Sequence, residues 1–462
     1  MSGWLADNRE RVFADLTRFL SIASISTDPQ FKPKIADAQR FLLAHLEASR
    51  FENRRLIEGD GHAAVYADWL HAPGKPTLLV YGHYDVQPPD PLEAWTSPPF
   101  TPTVRDGRLY ARGASDDKCP LFVALTAASA LLAADGALPV NLKLLIEGEE
   151  EVGSKNLESY VRANRALLAA DFVLSADGAR WRADLPAVNV ASRGIATLEF
   201  ALTTAAKDLH SGRYGGAVAN PLNAIARLVA SLHEPSGRIA VEGFYDGVAE
   251  PTNAERAAIA DLPFDEAAYI AAVGASGPVG EAGYSTLERQ WLRPSLDLNG
   301  LWGGYQGTGS KTVIPHEARA KLSSRLVPGQ DPARIVALLQ RHLETHCPPG
   351  AKVEMKAGHG SPAYALPPDH PALAVAEAVL AEVHGRRPVR VRIGATLPIS
   401  DMFKRVLGID TIMFSYSTAD EDFHAPNEFF RLSSFDDGFA AWQSFLRRAG
   451  ALAPQDFRAF RR

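Results

Sequence analysis

Three short apolar runs, "TLLVYG" (77–82), "LKLLIEG" (142–148) and "DFVLSAD" (171–177), are separated by helical patterns, "LFVALTAASALLAA" (121–134) and "LESYVRANRALLAA" (157–170). This alternation constrains the fold more than any other feature of the chain. Parallel strands can be joined only by long crossovers, so strand and helix in turn predict an α/β fold whose parallel or mostly parallel sheet is covered on both faces. Such a sheet presents its functional residues at the carboxyl ends of its strands. His83 and Asp85 follow the first run, and Glu149, Glu150 and Glu151 follow the second. Asp177 ends the third, and His424 follows the strand-like "TIMFSYS". Asp116, in "ARGASDDKCP", stands in the loop before a predicted helix. One rim of one sheet is expected to carry them all.

At 462 residues the chain exceeds one ordinary core, which predicts two domains. From about Asn189 the style changes: "IATLEFALTT" and "EARAKLSSRLVP" read as amphipathic strands, "NPLNAIARLVASLH" and "DPARIVALLQRHLETH" as helices. Near Tyr364 the first style returns, with "PALAVAEAVLAEVHG" and a final helix in "FDDGFAAWQSFLRRAG". An α+β domain over 189–364 is therefore read as inserted between the two parts, 1–188 and 365–462, of the first domain. The formal charge of −6 is spread along the chain, which argues against a nucleic-acid partner. The opening segment mixes both charge signs, and no uncharged apolar run of about 18 residues occurs. A cytoplasmic protein without a membrane anchor is expected. The two cysteines, Cys119 and Cys347, form neither a disulfide framework nor a metal knuckle.

Each polar cluster has an ordinary reading by itself. Strand-end histidines are commonly satisfied by hydrogen bonds, "EGEEEVGS" can be a solvated turn, and "SDD" before a helix is a common cap. Together they are costly, because two histidines and several carboxylates on one sheet edge repel unless cations neutralise them. Mixed nitrogen and oxygen donors without cysteine suit Zn²⁺ or a comparable divalent ion, and a shared carboxylate suits two.

The blocks "YGHYDVQP", "GRLYARGASDDK", "EGEEEVGS", "SAD", "KDLHSG", "KTVIP", "SRLVPGQDP" and "FHAPNE", in this order from about Thr77 to Glu428, resemble those of the co-catalytic zinc exopeptidases. That family includes carnosine dipeptidase, acetylornithine deacetylase and succinyl-diaminopimelate desuccinylase, and "DDK" and "DLHSG" are most similar to its dipeptidase branch. The resemblance implies a zinc-exopeptidase catalytic domain with an inserted lid or dimerisation domain. It further implies two Zn²⁺ per subunit, with Mn²⁺ or Co²⁺ as alternatives. Asp116 would bridge the ions, His83 and Asp177 would hold one, and Glu151 and His424 the other. Asp85 would orient His83. Glu150 would be the general base, with Glu149 only a neighbour. A cis peptide is implied between Asp116 and Asp117.

The same resemblance implies a homodimer in which His210 reaches the partner's site and polarises the scissile carbonyl. Arg325 would grip the substrate's carboxylate. Thr312, Arg392 and Thr396 are further substrate-site candidates. Two positions depart from the pattern: Cys119 and Pro120 stand where glycine usually follows "DDK", and "RIGATLP" has Ala395 and Thr396 where relatives often have glycine and serine. The expected activity is metal-dependent hydrolysis of dipeptides with a free carboxylate. An N-acyl or N-carbamoyl amino acid amidohydrolase is the alternative, and a metal-binding protein of this fold without turnover a third reading. Retention of Asp85, Glu150 and every ligand argues against the third.

Overall fold

The computed structural model describes residues 3–461, and in it the chain forms two compact units. The first comprises residues up to Val190, Leu366–Val391 and Met402 onward; the second comprises Ala191–Ala365 and Arg392–Asp401.

The first unit is built on six strands: β1 (Glu52–Ile57), β2 (Ala64–Trp69), β3 (Thr77–His83), β4 (Asn141–Glu147), β5 (Phe172–Ser175) and β6 (Thr411–Met413). Their order is β1-β2-β4-β3-β5-β6. β4, β3, β5 and β6 run parallel to their neighbours, while β1 and β2 add an antiparallel edge. The sheet is thus mixed. Its antiparallel edge has no strong signature, since β1, "ENRRLI", is exposed along most of its length. β2 and β5 are buried at every position, and β3 and β4 at all but the first, which requires cover on both faces and explains their unbroken apolar runs.

The helix Cys119–Asp135 starts with Pro120, whose missing N–H costs nothing in a first turn. It ends at Gly136, whose φ of +70° only glycine adopts freely. It packs against Gly3–Leu20 and Leu432–Ala449. It continues the turn Ala114–Lys118, and the two together are long and apolar enough to cross a membrane. In this fold 83% of an 18-residue apolar part of that stretch is buried within the protein.

The second unit is a four-stranded antiparallel sheet in the order Ser295–Gly303, Glu317–Leu326, Gly194–Thr203, Lys352–Ser361. Buried and half-buried residues alternate along Gly194–Thr203, as expected for a sheet with one covered face. That face packs Leu198, Phe200, Leu202 and Leu322 against Ile225 and Leu228 of one helix and Ile335, Leu339 and Leu343 of another. The chain enters and leaves as paired strands, Ser192 opposite Tyr364 and Ala191 opposite Ala365.

The short return segment Arg392–Asp401 belongs to this unit, whereas the sequence reading gives it to the first domain. Hydrogen bonds explain the difference. The Arg193 backbone N–H donates to the carbonyls of Ile393 (3.3 Å) and Ala395 (3.0 Å), and its Nε donates to Gly394 O (2.8 Å). Arg392 pairs with Glu255 at 2.8 Å.

Candidate metal centre

Three adjacent parallel strands deliver the first residues of the site. β3 ends at His83, which is fully buried, and Asp85 follows it, also fully buried. The carbonyl of Asp85 lies 3.1 Å from His83 Nδ1. A carbonyl can only accept, so Nδ1 carries a proton, which leaves Nε2 as the nitrogen that faces Asp116 and would hold an ion once its own proton is displaced. The Asp85 carboxylate does more than the sequence reading assigns it. Its Oδ1 lies 3.4 Å from His83 Nδ1, and its two oxygens accept the backbone N–H groups of Glu150 (3.2 Å) and Glu151 (3.1 Å). It thereby fixes the acidic turn after β4 against the end of β3.

Asp116 lies in the turn Ala114–Lys118, and the peptide bond between Asp116 and Asp117 is cis. The Asp116 carboxylate reaches two imidazoles at once: Oδ1 is 2.9 Å from His83 Nε2, and Oδ2 is 3.0 Å from His424 Nε2. His424 Nε2 is also 3.0 Å from Glu151 Oε2. His424 sits in a tight loop in which Asp422, His424 and Asn427 all have φ between 55° and 65°, a region non-glycine residues seldom occupy.

The donors fall into two groups, His83 with Asp117 and Asp177, and Asp116 with Glu151 and His424; within each, the ligand atoms lie within 4.8 Å of one another. Asp117 escaped the sequence reading, because "SDD" does not reveal which carboxylate faces the site. Its Oδ2 accepts the His83 N–H at 3.2 Å, while its Oδ1 is buried without a hydrogen-bond partner. Glu149 turns away: its carboxylate accepts from Asn156 Nδ2 at 2.8 Å.

The electrostatics call for cations. Burial first, and the charge of Asp177 next, push Glu150 well above the ordinary carboxylate range. Burial likewise raises Asp117, Glu151 and Asp177, the last to about 6. Burial opposes the charge on Asp116, but hydrogen bonds from His424 and His83 outweigh it and hold Asp116 low. The same contacts, with Asp116 first and Glu151 second, lift His424 to about 10. The histidines are serving as the cations that the carboxylates lack. A partnerless buried oxygen on Asp117 and two sets of nitrogen and oxygen donors joined through Asp116 fit a pair of divalent ions.

Beneath the site, Tyr81 Oη and Ser154 Oγ donate to Glu147 Oε1 at 2.5 and 2.9 Å, closing the base of the acidic turn. Burial raises Glu147 to about 8. The sequence reading passed over Glu147, which ends an apolar run and looks like part of the strand. Cys119 is fully buried and its thiol is pushed well up by that burial, so it packs as a small apolar side chain.

The remaining candidates all lie in the second unit. His210 is exposed, opposite Val313 in a two-stranded ladder, and its Nδ1 caps the turn Ser211–Tyr214 by accepting from Gly212 N at 3.0 Å. Thr312 is its neighbour, with its carbonyl accepting from Ser211 N at 3.1 Å. Arg325 Nη1 donates to Thr396 Oγ1 at 2.8 Å, so these two candidates are brought together. Arg392 is committed to Glu255.

The family described as Peptidase family M20/M25/M40 matches residues 79–448. The chain is similar to the Cys-Gly metallodipeptidase dug1 of Schizosaccharomyces pombe, with 29% identity and 95% of each chain covered. It is similar to the Beta-Ala-His dipeptidase of Homo sapiens, with 30% identity over 92% of this chain and 86% of that one. Among solved structures, the M20 family metallo-carboxypeptidase Sso-CP2 from Sulfolobus solfataricus superposes with a TM-score of 0.82 at 33% identity, covering 98% of this chain and 100% of that one.

Proposed function

The chain belongs to peptidase family M20/M25/M40, and from that membership we propose that it is a metal-dependent hydrolase of dipeptides carrying a free carboxylate. Relatives named for Cys-Gly and Beta-Ala-His dipeptides support the substrate class. The observation that carries the reading is the Asp116 carboxylate with one oxygen on each of two imidazoles.

In this reading His83 and Asp177 hold one ion, Glu151 and His424 hold the other, and Asp116 serves both. Asp117 adds a carboxylate on the His83 side. The donor set favours Zn²⁺, with Mn²⁺ or Co²⁺ as alternatives, and when bound such ions supply Lewis acidity for the scissile carbonyl and for the attacking water. Glu150 takes the water's proton and passes it to the leaving nitrogen. Asp85 holds His83 and the acidic turn in register. Arg325, steadied by the Thr396 hydroxyl, grips the substrate's carboxylate through its planar fork. Thr312 lines the approach beside His210, and Arg392 shapes the second unit through Glu255.

His210 is assigned to the partner's site in a homodimer, where it stabilises the developing oxyanion. The uncovered edge strand Ser295–Gly303 supports an interface there, since Leu298, Leu301 and the following Tyr305 are 42%, 46% and 47% exposed. Both cysteines are free thiols, which suits the cytoplasm.

The test is a panel of dipeptides and N-acyl and N-carbamoyl amino acids, followed by mass spectrometry with Zn²⁺, Mn²⁺ or Co²⁺ added. Release of amino acids from dipeptides in preference to the acylated set is expected. Preference for the acylated set would move the chain to the amidohydrolase reading, and no turnover with any metal would overturn both.

A further inference from the structure

One heavily used side chain near the site is not among its donors. Glu428 is buried, 1% of its side chain being accessible, and its carboxylate accepts four hydrogen bonds. Oε2 accepts from Arg112 Nη1 (2.7 Å) and the Gly113 N–H (2.8 Å); Oε1 accepts from the N–H groups of Ser115 (2.8 Å) and Asp116 (3.1 Å). The Glu428 carbonyl also accepts from Ala111 N at 3.2 Å. The turn that carries Asp116 therefore has much of its backbone capped by one residue more than three hundred positions away. Ser417 Oγ, donating to Ser115 O at 2.6 Å, and Glu421, accepting from Ser115 Oγ, complete the attachment.

Glu428 lies four residues after His424. Asn427, next to it, donates to Ala94 O at 2.8 Å and accepts from Thr96 N at 2.8 Å, which anchors the far side of the same loop. A single rigid loop thus supplies His424 to the donor group and Glu428 to the backbone beneath Asp116. Arg112, itself 1% accessible, neutralises the carboxylate and spends Nη2 on Pro88 O at 3.2 Å. A charged acceptor suits this role better than a neutral one, because all four of its partners are donors.

We propose that Glu428 is a positioning residue that sets the spacing between Asp116 and His424, and through it the affinity of the ion held by Asp116, Glu151 and His424. This rests on the assignment of the donors given above. The other ion shares Asp116 and draws on Asp117 from the same turn, but it also draws on His83 and Asp177, which lie at or just beyond strand ends that Glu428 does not touch, so it should feel the change less.

The test is titration of the metal-free protein with Zn²⁺ against a chromophoric chelator, with the Co²⁺ absorption spectrum as a probe of donor geometry and thermal melting of the metal-free protein as a check on folding. Wild type is expected to bind two ions of different affinity; if it does not, the proposed function fails before Glu428 is at issue. Glu428→Gln replaces two acceptor positions with donors and is expected to weaken the ion held by Asp116, Glu151 and His424 by about 10–100-fold, to weaken the other by a clearly smaller factor, and to alter the Co²⁺ spectrum. Glu428→Asp, which keeps the charge but shortens the arm, should weaken the same ion less, and it serves as the decisive variant if Glu428→Gln does not fold. Unchanged binding of both ions by a folded variant, or equal weakening of both, would overturn the proposal.

Discussion

In the first unit, His83 and Asp85 are fully buried and Asp116 is 16% accessible, and their side chains are placed by backbone, imidazole or carboxylate partners. In the second, His210 and Thr312 are exposed, and the half-buried Arg325 has a neutral hydroxyl as its hydrogen-bond partner. One unit holds an excess of buried negative charge in a fixed arrangement. The other holds cationic and polar groups whose natural counterpart is an anion from outside. The contrast teaches where each kind of chemistry is stored: the candidate metal centre is prepared in the fold, while the proposed substrate contacts would be completed only when a partner or ligand arrives.

Substitutions can break that comparison in order of severity. Asp116→Ala removes the carboxylate that touches both imidazoles, so turnover should vanish and metal content should fall below two ions per chain. Elemental analysis that still finds two tightly held ions would rule out the shared-ligand role. Glu150→Gln should keep both ions and lower kcat by about 10²–10⁴-fold, while Glu149→Gln costs little, since its carboxylate is occupied by Asn156. Exchanged phenotypes would place the base one residue earlier.

His210→Ala tests whether the exposed set acts across a dimer. Metal binding should be intact and kcat lower by about 10²–10³-fold. Mixed dimers with Glu150→Gln should regain up to about half the wild-type rate, because a two-fold pair then contains one site with both residues. Absence of recovery would confine His210 to its own chain. Arg325→Ala should act mainly on KM, raising it about 10–100-fold, as expected for losing a charge-assisted pair. A loss confined to kcat would remove Arg325 from substrate binding.

The smallest effect is a slope. In the metal-free protein His424 titrates at about 10, held up by its bonds to Asp116 and Glu151. Its folded value exceeds its unfolded one of about 6.5, so the stability it lends is present below that pH and is lost as pH rises toward 10. Bound ions displace its proton and remove this dependence. The gap in Tm between metal-loaded and metal-free protein should therefore widen from pH 6.5 to 9, and a constant gap would show that His424 is not displaced.

Legibility in the sequence divided differently, within the first unit itself. His83, Asp177 and the acidic turn could be placed because β3, β4 and β5 are unbroken apolar runs, and a buried parallel strand has to end where polar residues begin. Asp117 and Glu428 could not. Their roles depend on which way a carboxylate faces and on backbone amides distant in the chain, and neither leaves a pattern in residue types. Nor did β1, whose polar sequence hides an edge strand, or Arg392–Asp401, whose membership is fixed by hydrogen bonds from Arg193 to main-chain carbonyls. Nothing in "RIGATLP" betrays the pairing of Arg392 with Glu255.

The paired strands at the junction carry a further meaning. Ala191 and Ser192 lie beside Ala365 and Tyr364, so the stretch between them begins and ends at one place. To the chain on either side, everything from Ala191 to Ala365 is equivalent to the tip of a hairpin, and its length adds only logarithmically to the entropy of closing the ends. Such a cassette can lengthen, shorten or be exchanged for another without reopening the register of β3, β4 and β5. The rim that carries His83, Glu151 and Asp177 is thereby insulated, along the chain, from changes in that stretch.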